Sequence, residues 1–523
     1  MAKIVLVRPP QLLREGALTP SQGTPHIGVA YLSASLKYAS HDVSIIDALG
    51  ESLNQFTKIK GTNLLINGLT AVEIADLIPE EVEIIGITCM FSSEWLYTKE
   101  VINEIHKAFP NKPIIAGGEH ITADPEYSLR TGKGLTACAL GEGEETIIDL
   151  VDVILRKQSL HDIKGIAFID DSGKFVKTAR RTRIGSLDEI PWPDWDNYPI
   201  ESYLQNGYGY NVTRGRPMPM VLSRGCPFQC TFCSSPNMWT TKWVARDIDD
   251  AVKEIKFNIE KYNVDHIELY DLTSIIKKKY ILDFAKVLIK ENINISWSLP
   301  SGTRSEALDK EVLTMLKKAG CNKLTYAPES GSPATLKRIK KRVRLDRMLK
   351  SIRLANKIGI RVKSNIMLGF PGETKYDILQ TFGFLAKTAW IGMQDAAIFR
   401  FVPYPGSELF LQLVDEKRIG IDVPAYEDFL LGNVYGSYVN IKSWSEHISE
   451  KELSIFMTAA VFWFYSLSFL FRPQRFITFV YRTIRNTPIT TLDLVMDNIV
   501  GQNRKKRREA FKKDLVEVEI NKL

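Results

Sequence analysis

The stretch Ser223-Arg-Gly-Cys226-Pro-Phe-Gln-Cys230-Thr-Phe-Cys233 carries three cysteines in the spacing Cys-x3-Cys-x2-Cys, directly after the apolar run from Met218 to Leu222. Cysteine thiolates are the usual ligands of iron-sulfur clusters, and a cubane cluster contains four irons. Three protein thiolates therefore leave one iron open. An open iron can bind a small molecule through amino and carboxylate groups and pass it an electron. This stretch predicts a catalytic iron-sulfur centre on a loop that follows a strand.

The same three cysteines could instead bind zinc or be buried for packing. A structural zinc site needs four ligands, normally as two Cys-x2-Cys or Cys/His pairs. The remaining cysteines, Cys89, Cys138 and Cys321, are isolated in apolar strand-like or turn contexts, so no second pair exists. The motif therefore favours the cluster over zinc, and Cys321 is expected to be a core residue.

Length and composition indicate a large soluble enzyme. The 523 residues predict about three or four domains, and 45% hydrophobic residues are ample for their cores. The chain begins in a strand-like run, Met1 to Val7, without a signal peptide, and six cysteines with no paired pattern indicate a reducing cytoplasm. The net charge of +7 is attributed mostly to a basic tail, so no nucleic-acid partner is expected.

Short apolar runs alternate with helix-period segments over residues 1–155. This pattern predicts a parallel sheet with the strands Lys3–Val7, Val43–Ile46, Ile84–Thr88, Pro113–Ala116 and Leu135–Leu140. The predicted fold is a doubly wound, Rossmann-like α/β domain, in which ligands bind at the carboxyl ends of the strands. Those ends carry Thr88, Gly117-Gly118-Glu119-His120 and Gly141-Glu142-Gly143-Glu144. Glycines there allow the backbone to approach a flat or phosphate-bearing ligand closely.

Residues 156–205 are predicted to connect two domains. Ile166–Ile169 and Phe175–Thr178 flank the turn signal Asp170-Asp-Ser-Gly173, which predicts a hairpin. The segment Ile190-Pro-Trp-Pro-Asp-Trp195 is stiff with proline and carries two indoles. Such a segment is expected to pack between the two domains and hold them together rather than to contact a substrate.

A second series of strand-then-helix units occupies residues 206–405. Its strand-like runs are Val221–Ser223, His266–Tyr270, Ile295–Leu299, Lys323–Ala327, Val362–Leu368 and Ala397–Val402. Six units predict an open, partial barrel with chemistry at the carboxyl ends of its strands. Those ends carry Asp271, Arg304, Glu329-Ser330-Gly331-Ser332 and Gly369-Phe-Pro-Gly-Glu373. Arginine can clamp a carboxylate and glutamate can receive an ammonium or a hydroxyl, although Gly-Phe-Pro-Gly is also a plain turn and Glu373 a possible first-turn acid of a helix.

Residues 406–523 are predicted to be mostly helical. The uncharged run Leu453–Phe471, followed by Arg472-Pro-Gln-Arg475, approaches the roughly 20 residues that span a bilayer. Serines and a threonine dilute it, so a helix buried against the barrel or lying in a membrane surface is favoured over a spanning helix. The basic run Arg504–Arg508 would suit an anionic lipid surface, although such runs are more often solvated tails. Peripheral membrane contact is therefore an expectation for this region.

Several of these motifs resemble the cobalamin-binding members of the radical S-adenosylmethionine superfamily. The cysteine spacing, the loop after a strand and Phe232 before the last cysteine resemble the superfamily signature. In the N-terminal domain the resemblance rests on Pro25–Leu32, on Gly117–Thr122 with Pro125-Glu126, and on Gly141–Glu144. Ile190–Trp195, the Glu-Ser-Gly-Ser and Gly-Phe-Pro-Gly-Glu-Thr elements, and the barrel exit Val402–Leu409 are also similar to the family.

The resemblance implies three cofactor sites and a substrate contact. A 4Fe-4S cluster would be held by Cys226, Cys230 and Cys233, and S-adenosylmethionine by Phe232, Arg304, Glu329 and Gly369. Cobalamin would be held by Thr88, Gly117, Gly118, Glu119, His120, Gly141, Glu142 and Gly143, and Tyr404 would face the substrate. The Asp-x-His-x2-Gly motif that supplies a lower histidine ligand is absent. A bound cobalamin would then lack that ligand, with His26 and His120 as remaining candidates, and a vestigial domain without cofactor is the alternative.

The activity implied by the resemblance is radical chemistry on a small molecule. Reductive cleavage of S-adenosylmethionine gives a 5'-deoxyadenosyl radical, and methylcobalamin then methylates an unactivated carbon of a hydrophobic substrate. Ring closure, oxidation or carbon-carbon coupling on a tetrapyrrole or lipid is the alternative outcome. A non-catalytic metal-binding redox sensor is the alternative from another class. The expected partners are the substrate and a reductant such as flavodoxin or ferredoxin in the cytoplasm.

Overall fold

Two parallel sheets form the framework of the chain, one in its N-terminal part and one in its central part. The computed structural model describes residues 1–17, 23–210, 215–273, 275–303, 307–434, 436, 441–485, 487–500 and 517–518. Helices lie between the strands of both sheets. The α/β architecture predicted from the sequence is confirmed.

The N-terminal part is a doubly wound sheet. Its elements are β1 (Lys3–Arg8), β2 (Gln11–Arg14), α1 (Ile27–Tyr38), β3 (Asp42–Asp47), α2 (Ala48–Glu51), β4 (Phe56–Ile59), β5 (Leu64–Asn67), α3 (Ala71–Asp76), β6 (Ile84–Thr88), α4 (Trp95–Ala108), β7 (Ile114–Gly117), α5 (Glu119–Ala123), α6 (Pro125–Thr131), β8 (Leu135–Ala139), α7 (Glu144–Leu155), β9 (Ile166–Ile169) and β10 (Phe175–Lys177). Strands β3, β1, β6, β7 and β8 are parallel neighbours in that order. The hairpin β9–β10 joins antiparallel at the β8 edge, so the predicted connector hairpin belongs to this sheet, while the domain bounds themselves stay a prediction.

Both faces of this sheet are buried because alternate side chains of each strand enter different cores. In β1, Ile4 and Leu6 pack with residues of α1 and α7, whereas Val5 and Val7 pack with residues of α3 and α4. Strands that are buried on both faces are continuously apolar in sequence. For that reason the sequence predicts these five strands to within about one or two residues.

The central part is a partial barrel. Its elements are α8 (Ile200–Asn206), β11 (Pro217–Met220), β12 (Ser223–Arg224), α9 (Ser235–Trp239), β13 (Val244–Ala245), α10 (Ile248–Tyr262), β14 (His266–Leu269), α11 (Lys278–Lys290), β15 (Ser296–Thr303), α12 (Lys310–Lys318), β16 (Cys321–Glu329), α13 (Pro333–Arg338), α14 (Leu345–Ile358), β17 (Arg361–Leu368), α15 (Lys375–Ile391) and β18 (Asp395–Arg400). Six strands form one sheet in the order β11-β14-β15-β16-β17-β18. Every neighbouring pair is parallel, so all six carboxyl ends lie along one edge.

The first barrel strand differs from the prediction. The sheet strand is β11, and the predicted strand Val221–Ser223 lies beyond its end. The N–H of Leu222 donates to Asp271 at the end of β14 (3.0 Å) rather than to a neighbouring strand. The next residues form β12, which pairs antiparallel with β13. The chain therefore turns out of the sheet just before the cysteines.

The C-terminal part is helical and closes the open edge of the barrel. Its elements are α16 (Glu408–Asp415), α17 (Val423–Gly432), α18 (Glu450–Phe471), α19 (Pro473–Arg485), α20 (Thr491–Val500) and β19 (Glu517–Val518). Helix α18 buries Leu453, Met457 and Phe464, and the Tyr465 hydroxyl donates to Asp395 of β18 (2.7 Å). Among the described residues α18 is the one helix long and apolar enough to cross a membrane by length and composition, and 33% of its apolar stretch is buried.

Two arginines after α18 fix it to the barrel. Arg472 donates to the carbonyl of Ala389 (2.9 Å) and Arg475 to that of Gly392 (2.6 Å). These carbonyls are at the carboxyl end of α15, where cations and donors are favourable. A small sheet of β2, β4, β5 and β19 was not predicted from the sequence, and the basic run Arg504–Arg508 lies outside the described residues.

Candidate functional site

The three cysteines lie on one loop at the carboxyl edge of the barrel, and each is half-buried. Asp271 fixes the start of this loop, because it also accepts the Ser223 hydroxyl (2.5 Å). Gly225 fixes its path, with φ at +86° and an added Cβ only 2.1 Å from the carbonyl oxygen of Lys242. Only glycine fits a left-handed position against another backbone. The loop conformation is thus set by residues that precede the first cysteine.

The thiols of this loop influence one another. Burial raises the pKa of the Cys233 thiol to about 12, and negative charge on Glu119, Cys230 and Cys226 raises it too, while a backbone hydrogen bond from Ser235 lowers it. The three thiols are therefore within electrostatic range of one another. A bound metal reverses this balance, because a coordinating thiol is deprotonated.

The donor set suits a cluster with an open iron better than a single metal ion. In the part of the chain that the structure describes, no three His, Cys, Asp or Glu side chains converge on a single-ion site. The thiolates of a cubane cluster bind separate irons and need not converge on one point. The other cysteines, Cys89, Cys138 and Cys321, are buried and unpaired in the core, as predicted for Cys321.

The ends of other barrel strands hold the cysteine loop in place. The N–H of Thr231 donates to the carbonyl of Ile339 (3.1 Å), and the N–H of Leu409 donates to the carbonyl of Thr231 (2.9 Å). The ring of Phe232 packs at 5.8 Å from that of Phe370. The loop is therefore fixed by the segments that follow β16, β17 and β18.

Glu329 is brought close to Phe232. It ends β16 with φ at +67°, a conformation that costs a non-glycine residue free energy and is common at functional sites. Its carboxylate accepts a hydrogen bond from the Lys341 ammonium (2.8 Å). That ammonium lies 5.8 Å from the centre of the Phe232 ring. Two opposite charges thus stand beside the cysteine loop, and Arg304, the third predicted polar group, lies outside the described residues.

The Gly-Phe-Pro-Gly-Glu segment is a closed turn. Gly369 has φ at +91°, and its N–H donates to the side chain of Glu373 (2.6 Å). Burial raises the pKa of the Glu373 carboxyl to about 7, although the N–H groups of Gly369 and Phe370 act against this. Glu373 therefore stabilises the turn, and Phe370 is the residue of this segment that contacts the cysteine loop.

At the N-terminal sheet, glycines allow two strand ends to approach each other closely. The N–H of Cys89 donates to the carbonyl of Gly117 (2.8 Å), next to the pair formed by Thr88 and Gly117. A Cβ on Gly118 would lie 2.3 Å from the Cys89 carbonyl oxygen. A Cβ on Gly117 would meet only Ala139, at 3.8 Å or more, and one on Gly141 only a carbonyl at 3.5 Å. Neighbouring atoms lie at ordinary contact distance from both positions, and the missing side chains allow a ligand to approach the backbone closely.

Glu119 joins the two halves of the site. The Ser234 hydroxyl, directly after Cys233, donates to the Glu119 carboxylate. Burial raises the pKa of Glu119, and the hydrogen bond from Ser234 lowers it. Thr122 makes a second link, because its hydroxyl oxygen accepts from the N–H of Gly141 (3.0 Å) and contacts the sulfur of Met238 in α9. The carboxyl ends of the two sheets therefore meet at the cysteine loop.

Glu142 and Glu144 belong to a buried ion network. Glu142 binds Arg183 (2.6 Å), and Glu144 binds Arg224 (2.6 Å). Arg224 also lies 3.6 Å from Glu142 and 4.9 Å from the centre of the Tyr31 ring. Because Arg224 immediately precedes Gly225 in the cysteine stretch, this network ties that stretch to the predicted cobalamin loop. Glu142 is thus positioned to hold the loops together, and Gly143 lies against Leu32, 2.9 Å from an added Cβ.

The two candidate histidines have local partners. Nδ1 of His120 lies 2.9 Å from the Ser92 hydroxyl, and its ring packs on Trp95 with centres 4.9 Å apart. Burial lowers the pKa of His120 to about 3. His26 caps α1 by accepting from the N–H of Val29 (3.2 Å). The structure thus brings His120 into the interior of the domain and uses His26 at a helix end.

Tyr404 lies half-buried in the turn after β18. This turn packs between the N-terminal and central parts of the chain. A Cβ on Gly406 would lie 2.8 Å from Asn237 and 3.1 Å from Ala123. Asn237 belongs to α9 and Ala123 to α5. Tyr404 therefore lies near the junction of the two halves, two residues before Gly406.

Known proteins share both halves of this arrangement. Residues 17–151 match the B12 binding domain, and residues 220–385 match the Radical SAM superfamily. The chain is 31% identical over 412 residues to an uncharacterized methyltransferase from Pyrococcus horikoshii, covering 78% of this chain and 82% of that protein. The chain belongs to the cobalamin-binding radical S-adenosylmethionine family.

Two further proteins resemble this radical S-adenosylmethionine chain. Anaerobic magnesium-protoporphyrin IX monomethyl ester cyclase from Rubrivivax gelatinosus is 26% identical, over 76% of this chain and 67% of the cyclase. The structure of the radical S-adenosylmethionine methyltransferase TsrM from Kitasatospora setae, with cobalamin and a 4Fe-4S cluster bound, matches with a TM-score of 0.65 at 13% identity, covering 88% of this chain and 91% of TsrM. At that identity the likeness establishes the shared fold.

Family membership confirms the predictions of family, of enzyme class and of the cofactors that the family uses. Sequence reasoning missed several residues of this radical S-adenosylmethionine site. Arg183, Arg224, Ser234 and Lys341 were not singled out, although each makes one of the contacts that hold the loops together. For Arg224 and Ser234 a signal existed, since both flank the cysteine motif directly. For Arg183 and Lys341 the sequence offers none, because their partners are distant in the chain.

Proposed function

We propose that the chain is a cobalamin-dependent methyltransferase that acts on an unactivated carbon of a hydrophobic small molecule. The observation that carries the proposal is the hydrogen bond between Ser234 and Glu119, which joins the cysteine loop to the predicted cobalamin loop. Contact between the two cofactor sites suits a reaction in which one cofactor generates a substrate radical and the other donates a methyl group to it. The relative named a methyltransferase, at 31% identity, supports this reaction type.

Cys226, Cys230 and Cys233 are proposed to hold the cluster. When bound, the cluster supplies the electron that cleaves S-adenosylmethionine, and cobalamin supplies the methyl group. Asp271 and Gly225 hold the loop in a conformation that presents the thiols. Phe232, packed on Phe370, covers the loop with apolar surface, which keeps water from the reacting atoms.

Phe232, Arg304, Glu329 and Gly369 are proposed to form the S-adenosylmethionine site. The ligand carries a carboxylate, an ammonium and ribose hydroxyls, so it needs donors and acceptors together. Glu329 supplies an acceptor and Lys341, paired with it, a cationic donor. Gly369 contributes the turn that places Phe370 beside Phe232.

Thr88, Gly117, Gly118, Glu119, His120, Gly141, Glu142 and Gly143 are proposed to form the cobalamin site by different means. The backbone at Gly117 and Gly141, which carries no side chain, is proposed as part of the surface that a corrin would cover. Glu142 acts through Arg224, and His120 acts through its packing on Trp95. No histidine is proposed as a cobalt ligand, because the motif that supplies one is absent. In both candidates Nδ1 is hydrogen-bonded, while Nε2 is buried without a protein partner among the described residues.

A hydrophobic substrate is proposed because the strand ends beside the cysteine loop are apolar, although Phe370 and Phe401 themselves are fully buried. The rings of Phe370 and Phe401 lie 4.8 Å apart at the ends of β17 and β18, and Tyr404 follows them. A second candidate function is ring closure or oxidation on the same site, supported by the cyclase relative at 26% identity. The two functions differ in whether a methyl group appears in the product.

The decisive experiment is anaerobic purification with cobalamin, followed by iron, sulfide and cobalt analysis and by turnover with dithionite. The proposal expects about four irons and one cobalt per chain, with 5'-deoxyadenosine and S-adenosylhomocysteine both formed in the presence of substrate. Cys230→Ala should abolish 5'-deoxyadenosine, whereas Cys321→Ala, a core change, should retain it. Formation of 5'-deoxyadenosine without cobalt or S-adenosylhomocysteine would favour the second function. Absence of 5'-deoxyadenosine from fully loaded protein would refute both and favour a redox sensor.

We further propose a cytoplasmic enzyme in peripheral contact with a membrane through α18 and α19. These helices contact each other through Phe469 and Phe476 (5.5 Å between ring centres). They leave many large apolar side chains exposed, namely Ile455, Phe462, Trp463, Leu470, Phe476, Ile477, Tyr481 and Ile484. Exposed apolar surface of this extent is typical of interaction sites, and helices with such faces lie in the interface of a bilayer.

Sedimentation with anionic vesicles tests the membrane contact. Phe476→Glu/Ile477→Glu should lower the bound fraction severalfold, because two charges enter the apolar face. Val72→Glu/Leu77→Glu is the matched control, since both residues are exposed apolar side chains near α3. Equal binding by both double variants would contradict the proposal.

A further inference from the structure

A dense run of positive charge lies outside the C-terminal tail. Residues 337–353 contain nine Lys and Arg and one Asp, a formal charge of +8, whereas the whole chain carries +7. Residues 472–523 are also basic, with twelve Lys and Arg against six Asp and Glu, so the basic tail predicted from the sequence is a second positive region. The other residues carry an excess of acids. We call residues 337–353 the basic segment.

The basic segment is exposed to solvent. Lys337, Lys340, Arg342, Arg344 and Arg347 are all exposed. At least four carboxylates form ion pairs with it: Glu408 with Lys340, Asp346 with Arg344, Asp377 with Arg338 and Glu329 with Lys341. An excess of positive charge remains, because the segment has nine cations. The surface also contains a depression of about 630 Å³ lined in part by Pro333, Leu336, Lys337, Lys340, Lys341 and Arg342.

The basic segment lies directly against the cysteine loop. The carbonyl of Ile339 accepts the N–H of Thr231 (3.1 Å), which lies between the second and third cysteines. The Lys341 ammonium lies 5.8 Å from the centre of the Phe232 ring, and Cys233 is the next residue. A molecule seated on the basic segment is thus separated from the cysteine loop by about one layer of side chains.

We propose that the basic segment is the docking surface for an acidic one-electron carrier protein of the flavodoxin or ferredoxin class. This inference rests on the proposed function, which needs an electron at the cysteine loop. In the transfer the carrier is oxidised by one electron and the cluster on this loop is reduced by one. No bond forms or breaks, and no further reactant is needed. Attraction between the basic segment and an acidic carrier would raise the association rate of the two proteins. Added salt would lower that rate, because it screens the charges.

The test compares a protein reductant with a chemical one on the reconstituted enzyme. The rate of 5'-deoxyadenosine formation is measured against the concentration of reduced flavodoxin and, separately, with saturating dithionite. Lys337→Glu/Arg347→Glu should raise the KM for flavodoxin about tenfold or more, in keeping with the effect of charge on encounter rates. Its rate with dithionite should stay within about twofold of wild type, because neither residue touches the cysteine loop.

Two further variants make the result specific. Lys253→Glu/Lys290→Glu changes the net charge equally on exposed positions of α10 and α11, and should leave the KM for flavodoxin unchanged. Lys337→Gln/Arg347→Gln removes the charges without reversing them and should give an intermediate KM. It also keeps the inference testable if the charge-reversed protein fails to load iron.

Several outcomes would overturn the inference. One is an equal rise in KM for the basic-segment and control variants. Another is an unchanged KM in the basic-segment variant together with lost binding to anionic vesicles or RNA, which would assign the surface to those ligands. Absence of 5'-deoxyadenosine from wild type with dithionite is a different result, because it refutes the proposed function rather than the docking surface.

Discussion

Replacing Gly225 by alanine is expected to damage the cysteine loop more than it damages the rest of the fold. The residue has φ at +86°, and an added Cβ would lie 2.1 Å from the backbone oxygen of Lys242. The left-handed conformation alone costs an alanine about 1–2 kcal/mol. The added Cβ and the Lys242 oxygen must also move apart by about 1 Å to reach an ordinary separation. This movement disturbs the pairing of β12 with β13. The loss of about one hydrogen bond there costs about 1 kcal/mol. The expected loss of unfolding free energy is thus about 2–3 kcal/mol.

The chain offers a matched control for the conformational part of this cost. Gly173 has φ at +81° and nothing within 4 Å of an added Cβ. Gly173→Ala should therefore cost only the conformational part, about 1–2 kcal/mol. The measurements are urea unfolding of both variants and iron content after anaerobic reconstitution. Gly225→Ala should lose iron at Cys226, the next residue, whereas Gly173→Ala should load iron like wild type.

One result would refute this reasoning. If Gly225→Ala and Gly173→Ala lose the same unfolding free energy and bind the same iron, the contact with Lys242 does not control the loop. A loss of iron without any loss of stability would also contradict it, because the argument derives both effects from the same displacement of the backbone.

Two further predictions concern buried charges. Lys99→Met should lower the unfolding free energy in urea by about 3–5 kcal/mol, because it leaves Glu427, its buried partner at 2.7 Å, uncompensated. The double variant Lys99→Met/Glu427→Leu should regain most of this unfolding free energy. As a control, Arg130→Ala breaks an exposed pair with Glu126 and should cost under about 1 kcal/mol. Similar losses for Lys99→Met and Arg130→Ala would contradict the argument. Glu373→Gln tests pH dependence, because burial raises the pKa of Glu373 from its ordinary 4.5 to about 7 in the folded chain. Folding then favours the protonated carboxyl, so wild type should lose stability relative to the variant as the pH rises from about 4.5 to 7, and no more above that. At about 1.4 kcal/mol per pKa unit the difference should reach about 3 kcal/mol in urea titrations at pH 4.5 and 7.5, and a pH-independent difference would be the contrary result.

The helices and strands were predictable to the extent that their cause is local. The five parallel strands of the N-terminal sheet are continuous apolar runs because both faces are covered, and the barrel strands repeat with their helices. The first barrel strand was misplaced because Leu222 donates to Asp271, a residue far away in the sequence. The sequence likewise did not predict that the hairpin β9–β10 pairs with β8, since a hairpin signal does not indicate which sheet edge the hairpin joins.

The candidate site divides in the same way. Three cysteines in a short stretch specify a ligand set by themselves, because their spacing is covalent. The motif glycines at positions 118 and 225 report tight backbone contacts, because an added Cβ would lie within 2.3 Å of a backbone oxygen at each. The role of Glu142 could not be predicted, because its partners Arg183 and Arg224 arrive from other parts of the chain.

By itself the sequence determined the donor atoms, the order of strands and helices, and hence the family to which the chain belongs. The tertiary structure decided which charge faces which, so that Glu119 meets Ser234, the basic segment lies against the cysteine loop, and His120 is enclosed by Ser92 and Trp95. The physical reason is that covalent spacing encodes local geometry and ligand type. Pairing between distant side chains depends on how whole layers pack, which no short stretch contains.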